Sequence, residues 1–439
     1  MMTRLATATA AVAFLMAVSG AARANDMVCV IPGGGSAAPF CLDGSGIAAL
    51  DGKDKAPFTF IRHVAACGSR LVVANSSDVA FRDGSGGWTK PARHGKPVMN
   101  ALGCDAKGTI FIGHKDGIAR FEGGQWTDTP YSAVNVTNGT LDGVKRFVTK
   151  PDGSLWAVLG RSLARYEGGE WKPIADLPTL PNEHVRFSDA TADRDGRLWM
   201  AHGGGLSMHD GKQWATFKEN LIGPTGIAVD GSGAVWISVN DGIRIFSGGA
   251  WKKALIGGME KQIKPRDLAF DGKGRLWIAS SWGLGVVENN VGKFWRMANS
   301  DVPFDDMRTL VMAGKGPASL PATQDKPTGG IKGRFEGEEN TGLPDVRVEF
   351  CNVRLSRFTT FKKNDTPCST QAPLTITTRT ARDGTFSVDK VPPGDYSITV
   401  EREAGKWVLV TGNFGVTAEF ARVASGKVTS IPTVTVKAK

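Results

Sequence analysis

The sequence is poor in the residues from which most active sites are built. Six histidines and three tyrosines are spread over 439 residues. There is no Cys-x-x-Cys pair, and no histidine is spaced with a cysteine as a zinc set requires. Gly-x-Ser-x-Gly and His-Glu-x-x-His are absent, and no glycine-rich loop opens a helix where it could cradle a phosphate. These absences remove the common signatures of serine hydrolases, zinc proteases and nucleotide-binding enzymes. The formal charge is +10, yet no dense Lys/Arg run occurs. Nucleic acid is therefore not an expected partner, and an anionic polymer or membrane surface is the attractor to consider. Long apolar runs are missing too, since the one candidate, Ala6 to Val18, is too short to span a bilayer and stay.

Met1 to Ala24 combines Arg4, that apolar stretch and Ala22-Arg23-Ala24 ahead of Asn25, which predicts a secretory signal. The expected mature chain is periplasmic or secreted, with no transmembrane segment. All six cysteines lie beyond the signal, an even number in an oxidising compartment, so disulfides are expected. Many connectivities are formally open. Local pairing favours Cys29 with Cys41 and Cys351 with Cys368. Cys67 and Cys104 remain, each just before the first turn of consecutive repeat units, where a bridge between neighbours is plausible.

Glycine (56 residues) and tryptophan (12) are abundant, and both are periodic. Pro265 to Ala298 holds four short apolar runs separated by glycine turns, a pattern of strands and not of helices. Its turn-plus-Trp signature recurs about every 40 residues, at Trp156, Trp199, Trp236 and Trp277, with Phe111 and Val72 as weaker copies. A second column, Trp88, Trp126, Trp171, Trp214, Trp251 and Trp295, marks the last strand of each unit. Ten of the twelve tryptophans fall in these columns, which points to packing between blades and not to ligand stacking. Six units are clear. A seventh is split between the chain ends, with Phe40 to Lys53 as its second and third strands and Met307 to Gly316 as its innermost; Met27 to Ile31 is another candidate for that innermost place. The expected fold class is all-β, a seven-bladed β-propeller with one blade shared between the chain ends, plus a C-terminal β-sandwich domain. The expected boundaries are a signal at 1–24, a propeller at 25–316, a linker at 317–330 and a sandwich at 331–439.

The best copies, DGKGRLWIASSWGL from Asp271, DGSGAVWISVNDGI from Asp230 and DRDGRLWMAHGGGL from Asp193, resemble the repeats of the two-component regulator propeller family over about residues 40–316. They are also similar to the propeller of virginiamycin B lyase. The first resemblance implies an extracytoplasmic sensing module, although no transmembrane helix, kinase or DNA-binding segment follows the ring. The second implies enzyme chemistry. In the tail, Gly342-Leu-Pro-Asp-Val346, DGTFSV from Asp383 and VPPGDYSITV from Val391 resemble carboxypeptidase regulatory-like domains, which are transthyretin-like sandwiches. That resemblance implies an adhesive or stabilising accessory without catalytic residues.

In a propeller, the loops entering the innermost strands and those joining second to third strands gather at one mouth of the channel. The first set, aligned on Arg266, comprises His63, Asn100, Lys145, Ser188, Thr225, Arg266 and Arg308. A wet mouth is polar in any case, but three cations also suit an anionic ligand held by charge-assisted hydrogen bonds. The second set comprises Asp43, Asn75, His114, His202 and Asn240, with Trp282 close behind. His114 and His202 share one alignment position and are expected to face the channel, where either could serve as a general base. They are weak catalytic candidates. No metal ligands and no cofactor are expected, a divalent metal entering only with a lyase. The leading expectation is a non-enzymatic binding or sensing protein for a polysaccharide-like anionic polymer or an envelope or surface protein. The alternatives are a propeller lyase or hydrolase and a structural, adhesive envelope part.

Overall fold

A computed structural model describes residues 26–436 apart from 34–37, 51–55, 84–86, 93, 96–97, 135–141, 183, 260–262, 338, 356–365, 370, 404 and 411–419; the side chains of 98–100 and 402 are also outside the description. The expected signal peptide lies outside the described residues.

Residues 27–313 form seven sheets, numbered here as blades from the one that joins the chain ends. Blade 1 combines Met307–Ala313 with Met27–Pro32, Phe40–Asp43 and Gly46–Ala49. Blade 2 has the strands His63–Cys67, Arg70–Ala74 and Val79–Asp83, with one bridge from Phe81 to Thr89 where a fourth would run. Blades 3 to 7 each have four antiparallel strands, and their innermost strands are Val98–Cys104, Val144–Thr149, Phe187–Ala192, Gly226–Val229 and Pro265–Phe270. An apolar cluster fills each gap between successive blades. The cluster containing Trp277, Trp295, Val28, Phe40 and Leu310 packs blade 7 against blade 1 and closes the ring.

Blade 1 differs from the sequence expectation by one strand. Met27–Pro32 pairs with Met307–Ala313 on one side and Phe40–Asp43 on the other, so it is the second strand and not the innermost. Its Val28, Cys29 and Val30 are wholly buried, as a central strand requires. Phe40–Asp43 and Gly46–Ala49 therefore move out to third and fourth place.

The recurring Asp-x-x-Gly-x-Leu-Trp motif has a direct physical basis. In blade 7 the Asp271 carboxylate accepts the backbone N–H groups of Lys273 and Arg275 through Oδ1, and Arg275 Nε (2.6 Å) and Trp277 Nε1 (2.9 Å) through Oδ2. Asp193 and Asp230 bond the indoles of Trp199 and Trp236 in the same way. One side chain thus closes the first hairpin and satisfies an indole that would otherwise be buried without a partner. Blade 4 has Lys150 at this place, and there Trp156 Nε1 turns to Ser154 Oγ. The glycine that opens the third strand is equally constrained. A Cβ at Gly205 or Gly283 would lie 2.1 or 2.4 Å from a carbonyl oxygen of the fourth strand, and both residues have positive φ.

The remaining strands form a two-layer sandwich. One sheet orders Thr385–Val391, Gly329–Glu336 and Val428–Ser430; the other orders Thr375–Arg379, Arg347–Cys351, Gly394–Glu403 and Lys406–Leu409. Ile331, Phe335, Phe350, Phe386, Tyr396 and Ile398 fill the space between them. The expected linker is pinned along blade 7: Arg275 and Lys273 donate to Pro317 O and Ala318 O, Trp295 Nε1 donates to Pro321 O, and Lys326 N donates to Ala298 O. Disulfides join Cys29 to Cys41 within blade 1, Cys67 to Cys104 between the innermost strands of blades 2 and 3, and Cys351 to Cys368 in the sandwich.

Replacing Asp271 by Ala strands a buried guanidinium and an indole. The expected cost is about 3–5 kcal/mol of stability, read as a lowered midpoint in chemical denaturation. Asp152→Ala, which removes an exposed carboxylate bonded to Ser154, is expected to cost less than about 1 kcal/mol.

Candidate functional site

The innermost strand of each blade runs along the central channel as a sheet edge, with unpaired N–H and C=O groups. Five of these strands carry unopposed residues near their start, one in each of four blades and two in blade 3. In blade 4 Val144 faces Leu159 and Arg146 faces Val158, which leaves Lys145 unopposed. The same irregularity falls at Ser188, Arg266 and Arg308, and over Met99 and Asn100 in blade 3. A β-bulge bends its strand and re-aims the side chains at that point. The other two blades enter differently: Arg62 N donates to Ala74 O ahead of His63, and Thr225 N donates to Ser238 O with the two hydroxyls 3.0 Å apart. The sequence column from His63 to Arg308 is therefore the entry ring of the channel, and most of it is a bulge column. The side chain of Asn100 lies outside the described residues.

Cations crowd this ring. Burial holds the His63 imidazole down at about 4, helped by the charges of Arg308 and Arg62, so it is neutral at physiological pH. Burial also lowers Lys145 and Lys264; Arg266 lowers Lys264 further, whereas at Lys145 the attraction of Asp142 opposes burial and exceeds the repulsion of Arg186. Two carboxylates answer these charges, Asp142 with Arg186 at 2.6 Å and Asp306 with Arg266 at 2.8 Å. Lys264 Nζ reaches Gln371 of the sandwich at 2.7 Å. Beside it, a cavity of about 330 Å³ between blade and sandwich is lined by Ser281, Asp305, Asp306, Arg354, Asp395 and Arg422, among others.

One residue beyond the bulges, the side chains plug the channel. Arg146 Nε lies 2.8 Å from Asp189, and its Nη2 lies 3.7 Å from Asp267. The carboxylates also serve the exposed strand edges: Asp189 accepts Ile227 N of the next blade at 3.2 Å, and Asp267 accepts Leu310 N of blade 1 at 2.9 Å. Gly226 occupies the same place in blade 6, where a Cβ would lie 2.6 Å from Asp267 Cα. Burial raises both carboxyls, Asp267 to about 7, and two acids share one guanidinium. Beyond the plug a cavity of about 430 Å³ lined by Leu102, Ile227, Leu268 and Met312, among others, opens toward the first hairpins.

The second sequence column does not line the channel. His202 is fully buried; its Nδ1 accepts Gly204 N at 3.1 Å, which places the proton on Nε2, 3.1 Å from Ser207 Oγ. Burial lowers it to about 4. His114 Nδ1 likewise accepts Asp116 N, and its Nε2 lies 2.9 Å from Asp128 Oδ1. Asn75 accepts Ser77 N and Asp78 N. These residues cap the hairpins between second and third strands, so His114 and His202 share a structural role and do not meet on a common carboxylate. Asn240 is exposed at the matching turn, its amide packed over Gly223. Trp282 is half-buried beneath the guanidinium of Arg296, 4.2 Å above the ring. Asp43, moved outward with its strand, caps the hairpin between third and fourth strands. The plug residues Arg146, Asp189 and Asp267 were missed from sequence because the signal for them is a one-residue offset set by bulges.

The protein is an all-β propeller joined to a β-sandwich. No family model and no curated protein matches the chain. Among solved structures it is similar to virginiamycin B lyase from Staphylococcus aureus, at 16% identity over 56% of this chain and 85% of that one, with a TM-score of 0.44. It is also similar to PorZ, a bacterial surface component of the type-IX secretion system of Porphyromonas gingivalis, at 14% identity over 90% of this chain and 62% of that one, TM-score 0.46. A third similar structure is an extracellular domain assigned to a hybrid two-component system of B. thetaiotaomicron, at 12% identity over 90% and 71%, TM-score 0.38. At these identities the likeness is one of fold.

A carboxyl whose folded pKa is raised contributes stability below its unfolded value, and that contribution is lost as pH rises through the folded one. For Asp267 the window runs from about 4 to about 7. The thermal midpoint of the wild type is expected to fall by a few degrees between pH 5 and 8, and Asp267→Asn to flatten that fall. An equal fall in the variant would show that the plug does not titrate as described.

Proposed function

We propose that the chain is an exported, non-enzymatic binding protein whose propeller mouth takes an anionic ligand, with an acidic polysaccharide as the ligand class. The observation that carries this reading is the cation crowding at the bulge ring. Lys264 beside Arg266, and Arg62 with Arg308 around His63, concentrate positive charge at the ring, so an incoming anion would be drawn there. The plug below the ring makes the mouth a shallow seat and not a passage. The sandwich, whose motifs resemble carboxypeptidase regulatory-like domains, borders this seat through Gln371 and acts as its accessory. The lyase alternative receives less support, because His114 and His202 are turned into their own hairpins. Export to the periplasm or beyond is supported by the three disulfides and by the leader-like first 24 residues.

The test is calorimetric titration of the mature chain with oligogalacturonate and a neutral oligosaccharide of equal length. Binding of the acidic chain alone is expected, weakening with salt. Each charge-assisted contact is worth about 1.5–3 kcal/mol, so Lys145→Ala with Arg308→Ala is expected to weaken binding by at least about tenfold. Arg308 is exposed, which limits the effect of this pair on folding. Equal affinity in the double variant, or equal affinity for the neutral chain, would overturn the mouth as an anion site.

A further inference from the structure

A second cluster of chemically capable groups lies on blade 3, away from the entry ring. His94 Nε2 and His114 Nε2 each lie 2.9 Å from Asp128 Oδ1, and the three atoms fall within 4.8 Å of one another. The histidines are held differently from the carboxylate: their side chains are 3% and 2% exposed, whereas Asp128 is 49% exposed. The rings are 5.1 Å apart, and His94 also meets the edge of Trp126. His94 Nδ1 is buried without a hydrogen-bond partner, and the Asp128 carboxylate, as acceptor, holds the proton of that ring on Nε2. Two buried imidazoles and a solvent-facing carboxylate form a three-donor set with an open side. Nitrogen donors of this kind suit zinc and similar divalent transition ions.

We infer that His94, His114 and Asp128 form a zinc-binding site that fastens the segment after Thr89 to blade 3. Its place in the fold supplies the reason. Among the described residues of blade 2, the Phe81–Thr89 bridge stands where a full fourth strand would run. The chain that leaves this bridge is tied to blade 3 by Trp126 Nε1 on Ala92 O at 2.8 Å and by His94. Without metal, His114 Nδ1 accepts Asp116 N at 3.2 Å, so its proton sits on Nε2 and is donated to Asp128. Zinc takes the Nε2 lone pairs of both rings, and each ring proton moves to Nδ1. The Asp116 N–H then turns to water, which its exposed turn allows. Each ring exchanges its Nε2–H for an Nδ1–H, and Asp128 exchanges two N–H donors for the ion.

The experiment uses the mature, untagged, chelator-washed chain titrated with zinc chloride by calorimetry and by thermal shift. One equivalent is expected to bind and raise the midpoint, reversibly with chelator. His94→Ala and Asp128→Asn are expected to weaken binding at least tenfold, while His184→Ala, on a distant loop, retains it. Should the variants fold poorly, side-chain ¹⁵N resonances of the wild type provide the readout: both rings are expected to switch from Nε2–H to Nδ1–H on adding zinc. Absence of binding at millimolar zinc, wild-type affinity in both variants, or a tautomer switch confined to other histidines would overturn the site.

Discussion

A single carboxylate at the first hairpin of a blade governs how that blade is built and how it meets the next. Asp193, Asp230 and Asp271 each close a tight turn with backbone N–H bonds and hold an indole by its one polar atom. Once held, the tryptophan presents its apolar faces to the next blade, and in blade 7 Trp277 stacks on Trp295 at the closure of the ring. The repeat is therefore not a string of packing residues with turns between them. In these three blades the turn and the packing surface are one hydrogen-bonded unit, whereas blade 4, with Lys150 in place of the acid, satisfies its indole through Ser154.

At the centre of the ring the same physical need, satisfying polar backbone, produces different chemistry. Seven sheet edges face a narrow channel, and their N–H groups must find acceptors or water. Asp189 and Asp267 supply acceptors to the neighbouring blade, and Arg146 balances part of the resulting charge. Just above, bulges turn Lys145, Arg266 and Arg308 into the mouth. The acids below hold the ring together, and above them Arg266 is partly drawn back by Asp306.

The all-β class, the 40-residue unit and the tryptophan columns were legible because period, turn chemistry and packing coincide in each copy. The innermost and second strands of blade 1 were not separable, since Met27–Pro32 and Met307–Ala313 are both short apolar runs whose order depends on a pairing between distant parts of the chain. The entry ring was found as a column of polar residues, but its bulges were invisible, and with them the offset that sends Asp189 and Asp267 to the axis. His114 and His202 were misplaced for a related reason. A histidine that caps its own hairpin and one that faces a ligand occupy the same position in an alignment, and they differ only in which way the ring turns. His94 and Asp128 had no signal of their own, because 34 residues of chain separate partners that meet across two blades.

The split blade has a consequence for the order of events in synthesis. A chain made from its N-terminus exposes Met27–Pro32 and Phe40–Asp43 long before Met307–Ala313 exists. Until then the early hairpin has no inner partner, and its wholly buried Val28 and Val30 face solvent. The Cys29–Cys41 bond, between directly opposed residues of that hairpin, can form without any later part of the chain. It would keep the pair in register during the wait, so that the last blade strand meets a finished edge and the circle closes in one step.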